Sequence, residues 1–185
     1  MQMVYQAFLN AGLSPQQARA ITAEVGREND FAPQYLFGRH VDAANRKVNL
    51  GFLSWQGSRG TNLDKRLKSK GLVDGSGNIA RNQQALDEMA KFAIEEIRTT
   101  PAYSRTKNLF LDNPNVDYQT AQEVLGKNFI RWDYAGKTLG KDVAKHHAKR
   151  DKYYAQLSGG AKVDYQQGPQ APQYPTYNGL DFSAA

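Results

Sequence analysis

The segment VGRENDFAPQ, residues 25–34, places a glutamate, Glu28, where a carboxylate is poorly accommodated. Apolar residues precede it at Ala18, Ile21 and Val25, the spacing of a buried helical stripe, and the next step of that series is Glu28 itself. The pattern predicts Glu28 on the apolar face of the last helical turn, where the partial negative charge of the helix end also opposes a carboxylate. Desolvation and the like charge of Glu24, one turn earlier, act in the same direction, and Arg27 opposes them if its side chain folds back. A carboxylic acid that keeps its proton near neutral pH can act as the general acid of glycoside cleavage. The same residues also fit a solvated helix-end glutamate paired to Arg27 or Lys65.

The elements that must hold this glutamate follow from local signals. Residues 3–11 read as a short helix closed by Gly12. Ser14, Pro15 and Gln17 form a helix start, with a capping serine, a proline at the first position and the glutamine of a capping box. From 36 to 56 the helical period is lost and Gly38, Asn45, Asn49 and Gly51 punctuate short apolar runs, the pattern of a small hairpin or irregular β-lobe. Thr61 and Asp64 reopen a helix that stops at Gly71, and DGSGN at 74–78 is a turn. A helix over 80–98 turns Leu86, Met89, Ala93 and Ile97 inward, and a shorter one runs to about Leu111. Asp117 caps a further helix expected to bury Ala121, Val124, Leu125, Phe129 and Trp132, and a last, basic helix spans 137–157.

Bulk properties limit the function classes. The 185 residues suffice for one domain with a core. No apolar run approaches the ~20 residues of a membrane span, and the N-terminus lacks the basic start, apolar stretch and cleavage site of a secretory signal. There is no cysteine, which excludes disulfides and thiolate-bound metals. The net charge of +6 favours acidic partners.

Four blocks carry a family resemblance. Glu28-Asn29-Asp30-Phe31-Ala32-Pro33 resembles the E-S-x-F-x-P signature of lysozyme-like muramidases and lytic transglycosylases. GLSPQQARAITAEVGREND resembles the helix before the catalytic glutamate in the phage tail-lysozyme family, and GFLSWQGSR, residues 51–59, is similar to that family's G-L-A-Q-W-x-G-S-R block. NFIRWDYAG, 128–136, is similar to its aromatic-rich late helix. The resemblance covers about residues 10–155. It implies a lysozyme-like α+β fold, predominantly helical, with a small β-lobe inserted after the catalytic helix, and peptidoglycan as substrate.

Under that resemblance Glu28 is the general acid. Glycosidases usually need a second carboxyl group, and Asp42, fourteen residues on and inside the expected lobe, is the candidate that would activate a water. His40 lies two residues away on the same strand face and could bond that carboxylate or a sugar. Trp55 is the expected sugar-stacking ring, flanked by Ser54 and Gln56 as substrate contacts. The family commonly has glutamine where this chain has Ser54, and Gln56 is the expected substitute. Without a second carboxylate the fallback is a lytic transglycosylase, in which the substrate's own hydroxyl attacks. A catalytically inactive lysozyme-like virion module is the non-enzymatic alternative.

Lys137, Lys141, Lys145 and Lys149 form a helical stripe suited to the anionic cell wall, or simply a solvated face. No nucleic-acid motif accompanies it, and His146-His147 has no partner at ligand spacing, so neither nucleic acid, metal nor cofactor is expected. Residues 1–157 are expected to form the catalytic domain. Residues 158–185, rich in proline, glycine and tyrosine, are expected to extend as a tail that could dock on virion or tail proteins. The missing signal peptide fits action on the cell wall, in the periplasm, after delivery by a virion, a holin or a secretion machine.

Overall fold

The computed structural model describes residues 1–43 and 45–158 of the chain. In chain order the elements are α1 (Gln2–Asn10), α2 (Pro15–Asn29), α3 (Pro33–Leu36), β1 (Arg39–Val41), β2 (Val48–Leu50), α4 (Gly57–Ser69), α5 (Gln83–Thr99), α6 (Ser104–Thr106), α7 (Tyr118–Val124) and α8 (Val143–Ser158). The backbone continues past α6 and α7 in wider π-type turns, to Leu111 and Ile130. Among the described residues the result is a mostly helical α+β fold with one two-stranded antiparallel sheet, the class that the resemblance implied. Of the expected tail at 158–185, Ser158 ends α8 and the remainder lies outside the described residues.

Helix α2 is the centre of the molecule because its sequence gives it small or apolar side chains on nearly every side. Ala18, Ala20, Ile21, Ala23 and Val25 are all buried, and α1, α7 and α8 pack against it. Its start is the expected capping box: Ser14 Oγ accepts the Gln17 amide at 3.2 Å and Gln17 Oε1 accepts the Ser14 amide at 2.9 Å. Gln17 also donates Nε2 to the Phe110 carbonyl at 2.6 Å, tying the helix start to the segment after α6. The preceding α1 stops at Gly12, whose φ of +97° suits glycine. At Gly26 a Cβ would sit 2.5 Å from the Tyr153 ring, so the absence of a side chain is what lets α8 approach.

The end of α2 is built by side chains rather than by glycine. Asp30 (φ 54°) and Phe31 (φ 59°) are both left-handed, an uncommon pair for non-glycine residues. Asn29 Oδ1 accepts the Phe31 amide at 3.0 Å, while Asn29 Nδ2 donates to the Phe52 carbonyl at 3.0 Å. Asp30 accepts Lys149 at 2.6 Å and the Tyr153 hydroxyl at 2.8 Å, pinning the turn to α8. Asp30 therefore closes the helix end.

The hairpin pairs Arg39 with Leu50, His40 with Asn49 and Val41 with Val48. It is held to α4 by Asp64, which pairs with Arg39 and, at 2.7 Å, with Lys68. Burial pushes the Asp64 carboxyl up, but the bonds from Lys68 and Arg39 outweigh it and hold it below the usual carboxylate range. A depressed folded value means stability that is present above the unfolded value of ~3.9 and lost as pH falls through the folded one. Asp64→Asn is expected to lower stability by up to about 1 kcal/mol at pH 7 and to flatten the acid side of the melting-temperature profile. An unaltered acid limb in thermal unfolding would count against it.

Two expectations need correction. The last helix begins at Val143, not 137, because the Asp133 carboxylate accepts the amides of Lys137, Thr138 and Leu139 at 2.9, 2.7 and 2.6 Å and folds 133–142 into a turn. Lys137 and Lys141 thus fall outside α8, Lys145 pairs with Asp142 and Lys149 with Asp30, so no continuous lysine stripe forms. Trp132 lies beyond the end of the α7 segment, where Arg131 turns left-handed (φ 60°), and is only half-buried.

Candidate active site

Glu28 occupies the last turn of α2, but not on the buried stripe: 34% of its side chain is open to solvent. The buried carboxylate of this helix is Glu24, at 0%. Arg27, 4% exposed, lies between them. Its Nε bonds Glu24 Oε2 at 2.8 Å and its Nη2 bonds Glu28 Oε2, also at 2.8 Å. The guanidinium lies over the Trp132 ring, 4.4 Å from its centroid, an arrangement in which the ring face favours the cation. The expectation that desolvation acts on Glu28 therefore applies one turn earlier. Burial pushes the Glu24 carboxyl above its usual range, opposed by Arg27 and by Arg150 of α8, whose Nη1 is 3.8 Å from Glu24 Oε1.

The lobe presents a ladder of polar side chains. His40 Nε2 is 3.1 Å from Asn49 Nδ2 across the strands, and Tyr35 packs edge-on against the imidazole, with ring centroids 5.2 Å apart. Gln56, the residue before α4, donates Nε2 to Asn49 Oδ1 and, at 3.4 Å, to Asp42 Oδ2. Asn45 Nδ2 approaches Gln56 Oε1 at 3.4 Å. Asp42 also closes the hairpin through its backbone, its amide donating to Lys47 O and its carbonyl accepting from the Arg46 amide, both at 2.8 Å. His40, Asp42 and Gln56 are thus brought together, with Gln56 at the centre.

Trp55 is not a sugar platform. It is 0% exposed, with its ring against Phe52 and Phe92 at 5.4 and 5.6 Å and its Nε1 donating to Glu96 at 2.7 Å. Backbone pairing of Leu50 with Trp55 turns the indole inward. Ser54 sits in the tight turn that makes this pairing, with φ 52° and its amide donating to Gly51 O at 3.0 Å; it takes no part in the Gln56 ladder's hydrogen bonds given above. Arg59, from the start of α4, grips Glu96 at 2.6 and 2.8 Å, and with Leu53, Phe129 and Ile130 lines a small cavity.

Sequence reasoning missed Asn49 and the partnership of Arg27 with Trp132. Asn49 becomes the partner of His40 only once the hairpin register is known. Arg27 and Trp132 are separated by more than a hundred residues, and no local period relates them. Among the described residues no group of three or more His, Cys, Asp or Glu gathers at a metal-binding distance.

The two groups meet at one junction. The residue after Glu28, Asn29, bonds the Phe52 carbonyl just beyond β2, so the end of α2 is fastened to the exit of the lobe. A glutamate at the end of a central buried helix, followed directly by a small polar hairpin, is the arrangement that the sequence blocks implied. No curated protein matches the chain, and no solved structure does. The family described as phage tail lysozyme matches it over residues 1–158, the full span of the described structure, and the chain belongs to that family.

Proposed function

We propose that this protein, a lysozyme-family chain acting on peptidoglycan, cleaves the MurNAc–GlcNAc bond of the glycan strand with Glu28 as general acid. The observation that carries this reading is the Glu28 carboxyl itself. It is partly open to solvent, with one oxygen held at 2.8 Å by a buried arginine, and its other oxygen, which takes no hydrogen bond among the described residues, can meet a glycosidic oxygen. In this reading Asp42 holds the attacking water and the reaction is a hydrolysis with inversion. His40, Asn49 and Gln56 offer donors and acceptors to the sugar amides and hydroxyls from the lobe, with Ser54 in the adjoining turn. Trp132, half-buried beside Arg27, replaces Trp55 as the aromatic side chain next to the acid.

A second reading, a lytic transglycosylase, is favoured by one observation: Asp42 is already engaged within the lobe, through its backbone and through Gln56. If that carboxylate is structural, the substrate's own hydroxyl attacks after proton transfer from Glu28. Action from within a virion, or after release by a holin or secretion machine, belongs to the same proposal, as does docking of the tail at 158–185 on virion or tail proteins.

The test is digestion of purified peptidoglycan followed by mass spectrometry of the fragments. Reducing-end muropeptides, with turnover falling about 10²-fold in Asp42→Asn, are the expected outcome. Anhydro-sugar ends, with an indifferent Asp42→Asn, select the transglycosylase. No glycan cleavage by the wild-type protein removes both and leaves a wall-binding module.

A further inference from the structure

A general acid fastened to an arginine poses a physical problem. The guanidinium orients the carboxyl but also stabilises its ionised form, which cannot donate a proton. In this structure the same arginine is shared. Arg27 sends Nε to Glu24 and Nη2 to Glu28, each at 2.8 Å, and its plane is fixed against Trp132. Glu24 is fully buried, which pushes its carboxyl towards the neutral form, and its charged form depends on Arg27 and Arg150, which oppose that shift.

We propose that Glu24 and Arg27 are positioning residues of the catalytic acid, Glu24 neutralising Arg27 so that Arg27 orients Glu28 without holding it as a carboxylate. The inference rests on the reading of Glu28 as the acid. Glu28 gives its proton to the leaving glycosidic oxygen as the bond to the anomeric carbon breaks, that carbon is taken by the water held at Asp42 (which receives the water's proton) or by the substrate's own hydroxyl, and Arg27 stabilises the Glu28 carboxylate that remains, an interaction strongest after proton transfer.

The charged surroundings are compatible with this division. On α8, Arg150 faces Glu24 but is itself held by Asp151, by the Tyr118 hydroxyl of α7 and by His147 Nδ1 at 3.0 Å. Lys149, also on α8, is taken by Asp30. Trp132 contributes a neutral ring, and in the lobe that follows α2 in the chain His40 and Asp42 are bonded into their own ladder. Arg27 is the only cation with a hydrogen bond to Glu28 among the described residues, and Glu24 is the counter-charge for it inside the fold.

The experiment is a pH–rate series on purified peptidoglycan with the full chain as wild type, Glu28→Gln, Glu24→Gln, Arg27→Met and Arg27→Lys, each checked for folding by circular dichroism and thermal melting. Glu24→Gln keeps the shape and removes the counter-charge, so the alkaline limb of the rate profile is expected to move to lower pH by about one unit. Arg27→Met is expected to move that limb upward and to lower kcat about tenfold with KM unchanged, because orientation is lost while binding groups remain. Arg27→Lys, which keeps the charge, is expected to return the limb to the wild-type position and to recover part of kcat. If Arg27→Met does not fold, the limbs of Glu24→Gln and Arg27→Lys still decide. An unmoved limb in Glu24→Gln overturns the proposal, since it would mean that Glu24 carries no charge for Arg27 to lose. A wild type without activity, or a Glu28→Gln protein as active as wild type, would instead overturn the assignment of Glu28.

Discussion

Glu28→Gln is expected to lower turnover on purified peptidoglycan by about 10²- to 10⁴-fold, the usual contribution of a positioned general acid. The substitution keeps the shape of the side chain and an oxygen for Arg27 Nη2, which bonds Glu28 Oε2 at 2.8 Å. It removes only the proton that can be transferred. Because the carboxyl is partly exposed at the end of α2, stability should change by no more than about 0.5 kcal/mol, the range for surface positions. Binding to the insoluble wall should persist, because the polar ladder of His40, Asn49 and Gln56, which the proposed function sets against the sugars, is untouched. Sedimentation with purified walls and release of soluble fragments separate the two effects. Retained cleavage in Glu28→Gln would end the assignment, and joint loss of cleavage and folding would make the residue structural.

Trp55→Ala is expected to have the largest effect on stability, at about 3–5 kcal/mol. The ring fills a fully buried space between Phe52 and Phe92, and its Nε1 is a hydrogen-bond donor to Glu96 at 2.7 Å. Removing it leaves a cavity and leaves Glu96 to Arg59 alone. Against a typical domain stability of about 5–15 kcal/mol, the loss should lower the urea midpoint well beyond experimental error. Trp55→Phe should be milder, because most of the buried volume is kept. The outcome also discriminates between two roles for one residue. A sugar-stacking tryptophan would leave the unfolding midpoint unchanged and weaken wall binding, whereas a core tryptophan does the reverse.

The contrast between the two tryptophans shows where legibility stops. Trp55 lies in a non-helical stretch between Ser54 and Gln56, which reads as exposed and ready for a ligand. Its burial depends on the backbone pairing with Leu50 and on Phe92 of a helix that begins almost thirty residues later. Trp132 continues the spacing of Phe129 and reads as core, yet the helix ends before it at the left-handed Arg131. It is left half-buried over Arg27. Glu24 and Glu28 divide in the same way. Both lie near one face of α2 by spacing, and only the approach of α8, made close by Gly26, decides that Glu24 is enclosed and Glu28 is not.

What the sequence by itself determined was local: the capping box at Ser14 and Gln17, the stop at Gly12, the cap at Asp117, the turn at 74–78, the inward face of α5 and the place of Glu28 at the end of a helix before a hairpin. Each of these is satisfied within a few residues, by a backbone amide or by helical period, so residue order alone carries the information. The tertiary structure decided that His40 faces Asn49, that Gln56 bonds both Asn49 and Asp42, and that Trp132 rather than Trp55 lies against Arg27. Those facts are contacts between distant segments, and no local spacing encodes them. They depend on the register of a short hairpin and on how closely one helix can approach another.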